Sequence, residues 1–207
     1  NGDIYGTLLD GNGKVLVNDI AMIDDFGTAD EGDQRHNEIA YNPDRNEFLA
    51  CWTDTAPSLD NVGVRGRFIT ADGKVSGPVF TIADAPGPQI YPHPIYVPTF
   101  KKYFIVWEAG RNEADPSINW RNATNLDIYG KWMSADGKTF SDEIVFCDAP
   151  GVQRYSSVSY SEKSNRIMVA WQDIVDEDLS LGQAEGQTGQ HIKEQGGNVY
   201  AIVYGLP

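Results

Sequence analysis

The sequence predicts an all-β protein that repeats one antiparallel four-stranded unit. Three observations lead there: a composition rich in Gly and aromatic residues, tight-turn signals between short apolar runs, and a motif series that occurs three times. Of 207 residues, 21 are Gly, 11 are Pro and 11% are aromatic, which is typical of strands and turns. The apolar share of 41% is enough for a hydrophobic core.

The same residue types recur three times at constant spacing. In each unit a Gly precedes a Gly-Lys pair by 7 residues, a Gln precedes a Tyr by 7, and that Tyr precedes a Trp by 11. The repeated side chains are Gln34, Tyr41, Trp52, Gln89, Tyr96, Trp107, Gln153, Tyr160 and Trp171. The chain is therefore predicted to be one repeat domain, 1–207, with units of about 1–60, 61–124 and 125–196 and the first strand of a fourth unit in 197–207.

Each unit is predicted to contain four strands, a to d. Strand a turns through Asn-Gly or Asp-Gly, a strong hairpin signal, into strand b. A Pro/Gly loop that carries the repeated Gln then leads to strand c, and a second polar turn leads to strand d. The predicted a strands are Ile4–Leu9, Val64–Thr70 and Ile128–Ser134, the b strands Val79–Ala83 and Ile144–Cys147, and the c strands Glu38–Tyr41, Pro94–Val97 and Ser157–Tyr160.

The d strands end in the repeated Trp and are apolar on consecutive residues, as in Phe48–Trp52. A strand covered on one side would alternate, so these strands are predicted to be covered on both faces. Repeated sheets that stack face to face are typical of a β-propeller. The predicted fold is therefore β-propeller-like, with about three four-stranded antiparallel blades and one extra C-terminal strand.

The motif order also resembles a known repeat. Gln and Tyr, then an apolar run ending in Trp-Asp/Glu, then Asp127-Ile128-Tyr129-Gly130 and Ala135-Asp136-Gly137-Lys138 resemble a β-propeller repeat common in secreted and cell-surface proteins of bacteria and archaea. The resemblance covers nearly the whole chain apart from the loops. It implies an extracellular, cell-surface or periplasmic location and no particular activity.

Three units are fewer than the four to eight blades that usually close a ring. An open array exposes strand edges and an apolar face, which predicts self-association or a protein partner. The strand Asn198–Tyr204 is expected either to pair beside the N-terminal strands or to add to a sheet of another chain.

The formal net charge of −14 argues against binding to nucleic acid or to an anionic membrane surface. No apolar run approaches the roughly 18 residues of a membrane span, which argues against membrane insertion. The sequence favours a non-catalytic module for binding or assembly, acting through loops and strand edges. One alternative is a carbohydrate-active or other enzyme subunit with a site at the propeller axis, for which Asp54, Glu108 and Asp173 are the candidate acids. Another is a purely structural subunit of a larger complex.

The loops between strands d and a lengthen along the chain, and they are the predicted contact surface. The second loop supplies Arg111, Trp120 and Arg121 as candidate ligand-binding residues, with carbohydrate as one ligand class. The third loop is Gly/Gln-rich over Leu179–Gly197 and is expected to be mobile. The repeated Gln residues are expected to bind backbone groups of their own loops, and the Trp residues to pack between blades rather than stack on sugars.

Acidic residues in the third loop suggest a calcium site. Asp173, Asp176 and Asp178 supply hard oxygen ligands, as does the acidic insertion Asp24–Asp33 in the first unit. A solvated acidic face explains the same residues without a metal. Cys51 and Cys147 have no counterparts in the other units and are expected to be small buried fillers rather than a disulfide.

Overall fold

The computed structural model describes residues 3–22, 32–55, 62–113, 120–173, 188–192 and 198–205. These residues form fourteen strands and two single-turn 3-10 helices, at Pro98–Phe100 and Trp120–Asn122, and contain no α-helix. Within these ranges, no helix has the length and apolar character needed to cross a membrane. The all-β prediction is confirmed.

Four antiparallel sheets contain all the strands. The first has only β1 (Tyr5–Leu9) and β2 (Val15–Ala21). The second has β3 (Gln34–Asn42), β4 (Glu47–Asp54), β5 (Gly63–Thr70) and β6 (Val75–Ala83), in that order. The third has β7 (Gln89–Val97), β8 (Lys102–Ala109), β9 (Asp127–Ser134) and β10 (Ile144–Cys147). The fourth has β11 (Gln153–Ser161), β12 (Arg166–Asp173), β13 (Thr188–Ile192) and β14 (Asn198–Gly205), arranged β11-β12-β14-β13.

The sheets do not coincide with the sequence units. The second sheet joins strands c and d of the first unit to strands a and b of the second, and the third sheet is built in the same way. Strand d pairs directly with the next strand a, so that Trp52 lies opposite Arg65 and Trp107 opposite Tyr129. The Pro/Gly loop after strand b instead carries the chain into a new sheet. The first sheet consequently holds strands a and b alone.

The C-terminal strand β14 pairs with β12, with Trp171 opposite Tyr200. This pairing repeats the d-to-a pairing of the other sheets. The alternative in which the strand pairs beside the N-terminal strands is therefore wrong. The Leu179–Gly197 loop also contains a strand, β13, which pairs with β14. The expectation of a plain mobile loop is corrected at Thr188–Ile192.

Three hydrophobic clusters lie between successive sheets. Ile4 and Met22 of the first sheet pack with Ala50, Trp52 and Ile69 of the second. The larger cluster between the second and third sheets includes Leu49, Cys51, Val64, Tyr103, Ile105 and Trp107. The cluster between the third and fourth sheets includes Phe104, Val106, Cys147, Ile167, Val169 and Trp171. The four sheets therefore stack in chain order, and Cys51 and Cys147 are free thiols in separate clusters.

The d strands differ in how they are covered. Strands β4 and β8 are buried along almost their whole length, as consecutive apolar residues predict. Strand β12 instead alternates, with Val169 buried and Met168 exposed, because no described sheet covers its outer face.

The first strands of the third and fourth sheets each lie across the face of the sheet before them. β7 contacts β3, β4 and β5, and β11 contacts β7, β8 and β9. The strands β3, β7 and β11 therefore follow one another along one side of the stack, which we call the inner side.

Candidate binding site

A β-bulge occurs at the same place in each inner strand. These strands begin at the repeated Gln, earlier than the predicted starts at Glu38, Pro94 and Ser157, and their pairing register shifts two to three residues later. The residue two positions after each Gln, His36, Tyr91 or Tyr155, has a φ of 52°, 53° or 55°. Bulky residues seldom adopt this left-handed conformation, and both bulges and such strained residues concentrate at functional sites.

The three bulge residues place their rings next to one another. The His36 and Tyr91 rings are stacked with centroids 3.9 Å apart, and the Tyr155 ring meets Tyr91 edge-on at 6.5 Å. Tyr155 is 61% exposed, and the other two are half-buried. We call His36, Tyr91 and Tyr155 the aromatic row. It forms a continuous, partly exposed aromatic surface across three sheets.

The preceding sheet fixes two of the three bulges, at Tyr91 and Tyr155, by one hydrogen bond each. The Tyr91 amide donates to Oγ1 of Thr53 at 3.0 Å, and the Tyr155 amide donates to Oε1 of Glu108 at 2.6 Å. Thr53 and Glu108 occupy the same repeat position, directly after the Trp of strand d. The end of each d strand therefore positions the bulge residue of the next sheet.

Glu108 is an unusual residue at this place, because it is a fully buried carboxyl group. Burial raises the pKa of Glu108 to about 8, although the Tyr155 amide and the nearby Arg154 favour the charged form. Its Oε2 has no hydrogen-bond partner among the described residues. Burial thus favours the protonated form of this group, which contacts the aromatic row through the Tyr155 amide.

Two arginine side chains, Arg121 and Arg154, lie near the row. Nη2 of Arg154 donates to the carbonyl of Ala123 at 3.3 Å, and Ala123 belongs to the small core cluster against which Tyr91 packs. Arg121 lies in the adjacent 3-10 turn and is exposed. Burial, Arg35 and Arg121 together lower the pKa of His36, so its ring is neutral at pH 7. The site therefore combines neutral rings with cationic donors.

The predicted ligand residues of the second loop separate into different environments. Arg121 is near the aromatic row. Arg111 stacks over the Tyr129 ring at 4.2 Å, forms an ion pair with Glu143 and donates to Oε1 of Gln89 at 3.4 Å. Arg111 is thus engaged in packing contacts. Trp120 begins the 3-10 turn, and its side chain lies outside the described residues.

The repeated Gln and Trp residues form buried contacts. The Gln89 side-chain amide donates to the Gly87 carbonyl at 3.2 Å, and Nε1 of Trp107 donates to Oε1 of Gln89 at 2.9 Å. The Gln34 amide donates to the Gly32 carbonyl at 2.9 Å. When its side-chain amide is turned so that the nitrogen faces the neighbouring carbonyl oxygens, Gln153 donates to the Leu126 carbonyl at 2.8 Å.

The calcium prediction is only partly within the described residues. Asp173 ends strand β12, whereas Asp176 and Asp178, like the insertion residues 24–31, lie outside the described residues. Across the ranges that the structure describes, no three His, Cys, Asp or Glu side chains form a group able to hold a metal ion. Calcium binding stays a prediction.

The aromatic row was missed by the sequence reasoning, although a signal for it exists. A ring-bearing residue follows each repeated Gln by two positions, in Gln34-Arg35-His36, Gln89-Ile90-Tyr91 and Gln153-Arg154-Tyr155. The spacing alone does not reveal the bulge that brings these rings together.

Comparison with known proteins bears on the fold. No protein-family model matches the chain, and no curated protein sequence matches it. Among solved structures, an N-acetylgalactosamine deacetylase from F. plautii, in complex with blood group B trisaccharide, is similar to the chain with a TM-score of 0.54 at 12% identity. The likeness covers 78% of this chain and 51% of that one, so the chain spans about half of that protein's length.

A second solved structure gives a weaker match. An α-L-arabinofuranosidase from Podospora anserina, in complex with cellotriose, aligns at a TM-score of 0.33 and 9% identity, over 75% of this chain and 64% of that one. This score is too low to support an argument. The comparisons therefore show that the chain shares a β-sheet fold with part of the deacetylase, and they show nothing of its activity.

Proposed function

We propose that the chain is a β-propeller-type module that binds carbohydrate at the aromatic row. The observation that carries this proposal is the alignment of three rings on three strained bulge residues. Apolar faces of sugar rings pack well on aromatic rings, and guanidinium groups such as those of Arg121 and Arg154 donate to hydroxyl or carboxylate oxygens.

The fold supports the same proposal without deciding it. In a β-propeller the sheets stack around an axis, and loops and strand ends at the axis commonly form the ligand site. The inner strands β3, β7 and β11 contact one another in succession, and we infer that they face this axis. The deacetylase with a similar fold was solved with a trisaccharide bound, which makes glycans the first ligand class to test. The proposed module acts outside the cell or at its surface.

Tyr155→Ala is the sharpest test, because this ring is the most exposed of the row. A glycan array identifies a ligand for the native chain, and titration then compares native chain and variant. We expect about tenfold weaker binding by Tyr155→Ala, equivalent to ~1.4 kcal/mol. The matched control is Tyr5→Ala, since Tyr5 is 50% exposed on the first sheet. Equal affinity of the two variants, or an array without any bound glycan, would refute the proposal.

A second candidate function, glycan hydrolysis or deacylation, rests on Glu108. A carboxylic acid that stays protonated at neutral pH is suited to general acid catalysis. However, Glu108 is fully buried and its Oε1 accepts from the Tyr155 amide, which favours an anchoring role. A panel of chromogenic glycosides and acetylated sugars separates the two functions. Turnover by the native chain that Glu108→Gln abolishes would support the enzyme; binding without turnover would support the module.

A further inference from the structure

The boundary between the first and second sheets is incomplete in comparison with the next one. Ile39 and Tyr41 of β3 are 51% and 46% exposed. Pro94 and Tyr96 occupy the same repeat positions in β7; Pro94 is buried and Tyr96 is only 9% exposed. The difference follows from the first sheet, which lacks the c and d strands that cover the equivalent face in the second and third sheets.

The edge of β1 is open at the same place. Strands β5, β9 and β14 each pair on one side with a d strand, whereas the described structure pairs β1 with β2 alone. In every complete sheet the d-strand Trp lies opposite one position of strand a, occupied by Arg65, Tyr129 or Tyr200. The equivalent residue of β1 is Tyr5, within the same Asp-Ile-Tyr-Gly sequence as Tyr129.

At the two later boundaries, a recurring hydrogen bond shows that the turn between strands c and d of the preceding sheet covers the face equivalent to that of Ile39 and Tyr41. The Tyr96 hydroxyl donates to Oδ2 of Asp44 at 2.5 Å, and the Tyr160 hydroxyl is 2.7 Å from Oγ1 of Thr99. Asp44 and Thr99 occupy the same position of the turn between strands c and d of the preceding sheet. The Tyr41 hydroxyl donates to Asn46 of its own turn, as Tyr160 does to Asn165, but no described side chain of a preceding sheet reaches it.

An apolar cavity of about 110 Å³ lies between the first and second sheets. Its walls include Leu8, Ile20 and Met22 of the first sheet and Ile39 and Phe48 of the second. We call this cavity, together with the open edge of β1 and the face formed by Ile39, Tyr41 and Phe48, the notch. Apolar walls beside a strand edge that pairs with no other described strand suit an occupant that supplies both apolar side chains and a strand edge.

We propose that the notch binds an antiparallel β-hairpin of the c–d type, from outside the described residues. Its second strand carries consecutive apolar residues ending in Trp, pairs with β1, and places that Trp opposite Tyr5. Its turn forms a hydrogen bond with the Tyr41 hydroxyl. The proposal continues the interfaces that the chain itself forms twice, and it does not depend on carbohydrate binding.

An extension of the chain tests this proposal. A copy of residues 34–60 joined directly before Asn1 keeps the native spacing, because Asn1 then takes the position that Asn61 has before β5. We expect the β1 amides that point away from β2 to gain at least tenfold protection from hydrogen exchange, and the melting temperature to rise. The matched control carries Leu49→Asp and Trp52→Asp in the added copy alone. Equal exchange of the β1 amides in the two extended chains would overturn the proposal.

Two further measurements distinguish other outcomes. Should the extended chain fail to fold, a synthetic peptide of residues 34–55 is titrated into the native chain, and protection of the β1 amides is again the readout; no gain in protection would overturn the proposal. Light scattering of the native chain then tests a second copy as the occupant. A dimer whose β1 edge is already protected would replace the hairpin by a second copy and overturn the proposal as stated.

Discussion

Two boundaries between sheets are built from the same repeat but differ in how fully their side chains are packed. One lies between the second and third sheets, and the other lies between the first and second sheets. At the former, the d-strand Trp and Gln form a hydrogen bond, a Tyr hydroxyl reaches the neighbouring turn, and the facing side chains are buried. At the latter, Trp52 is also buried, but Ile39 and Tyr41 are about half exposed. The difference teaches that a residue's role in this protein depends on whether a complete sheet precedes it, and not only on its place in the repeat.

Trp107→Ala and Trp52→Ala provide the test with the largest expected effect. Both indoles are buried, but Trp107 also donates to Gln89, whereas Nε1 of Trp52 has no partner within the described part of the chain. We expect Trp107→Ala to lower the free energy of unfolding by about 4 kcal/mol, and Trp52→Ala by about 1 kcal/mol less. Urea denaturation of both variants measures the two losses. A larger loss at Trp52 would show that the first boundary is as complete as the second.

The strands themselves were predictable because their signals are local. The Asp-Gly turns, the apolar runs and the repeated Trp placed β10 at Ile144–Cys147, as the structure has it. The assignment of strands to sheets was not predictable in the same way, because the d-to-a and a-to-b connections both join antiparallel neighbours. Only long-range pairing, such as Trp52 opposite Arg65, reveals that the second, third and fourth sheets each begin with strand c.

The site was less predictable than the fold for a physical reason. The loops that looked most variable supplied Arg121, but the aromatic row depends on the backbone conformation at three bulges. A left-handed φ at a Tyr or His runs against its intrinsic preference, so local sequence gives no warning of it. The hydrogen bonds from Tyr91 to Thr53 and from Tyr155 to Glu108 maintain that conformation, and both cross between sheets.

The second prediction compares Thr53 and Glu108, which accept these two hydrogen bonds, by how the stability that each contributes responds to pH. Burial raises the pKa of Glu108 from 4.5 to about 8, so the folded chain retains a proton that the unfolded chain has released. This contribution to stability is therefore lost as pH rises from about 4.5 to about 8, by at most ~1.4 kcal/mol per pH unit. Glu108→Gln removes the loss, whereas the anchor Thr53 does not titrate in this range.

Urea midpoints at pH 5, 6, 7 and 8 measure this effect. Burial also raises the pKa of Asp127, to about 7, so its contribution overlaps below that pH. The interval from pH 7 to 8 therefore reports mainly on Glu108. We expect the native chain to lose stability there and Glu108→Gln to remain level. Parallel profiles for the two proteins would show that Glu108 is ionised in the folded state.

A third prediction compares Tyr hydroxyls at the two boundaries. Tyr96→Phe removes the hydrogen bond to Asp44 of the preceding sheet, and we expect a loss of about 1 kcal/mol. Tyr41→Phe removes an exposed hydrogen bond within one turn, and we expect a loss of about 0.3 kcal/mol. Thermal or urea unfolding distinguishes the two. Equal losses would mean that Tyr41 has a partner beyond its own turn, as the hairpin in the notch would provide.

The last comparison concerns the outer face of the fourth sheet. Phe104 and Met168 occupy the same position of strand d, but Phe104 is fully buried against the fourth sheet and Met168 is 47% exposed. We expect Phe104→Ala to lower the free energy of unfolding by about 3–5 kcal/mol and Met168→Ala by about 0.5 kcal/mol or less. Urea denaturation at two protein concentrations measures both variants. A loss above ~2 kcal/mol for Met168→Ala, increasing with protein concentration, would instead place a second chain on this face, because only association makes an exposed methionine contribute to stability in that way.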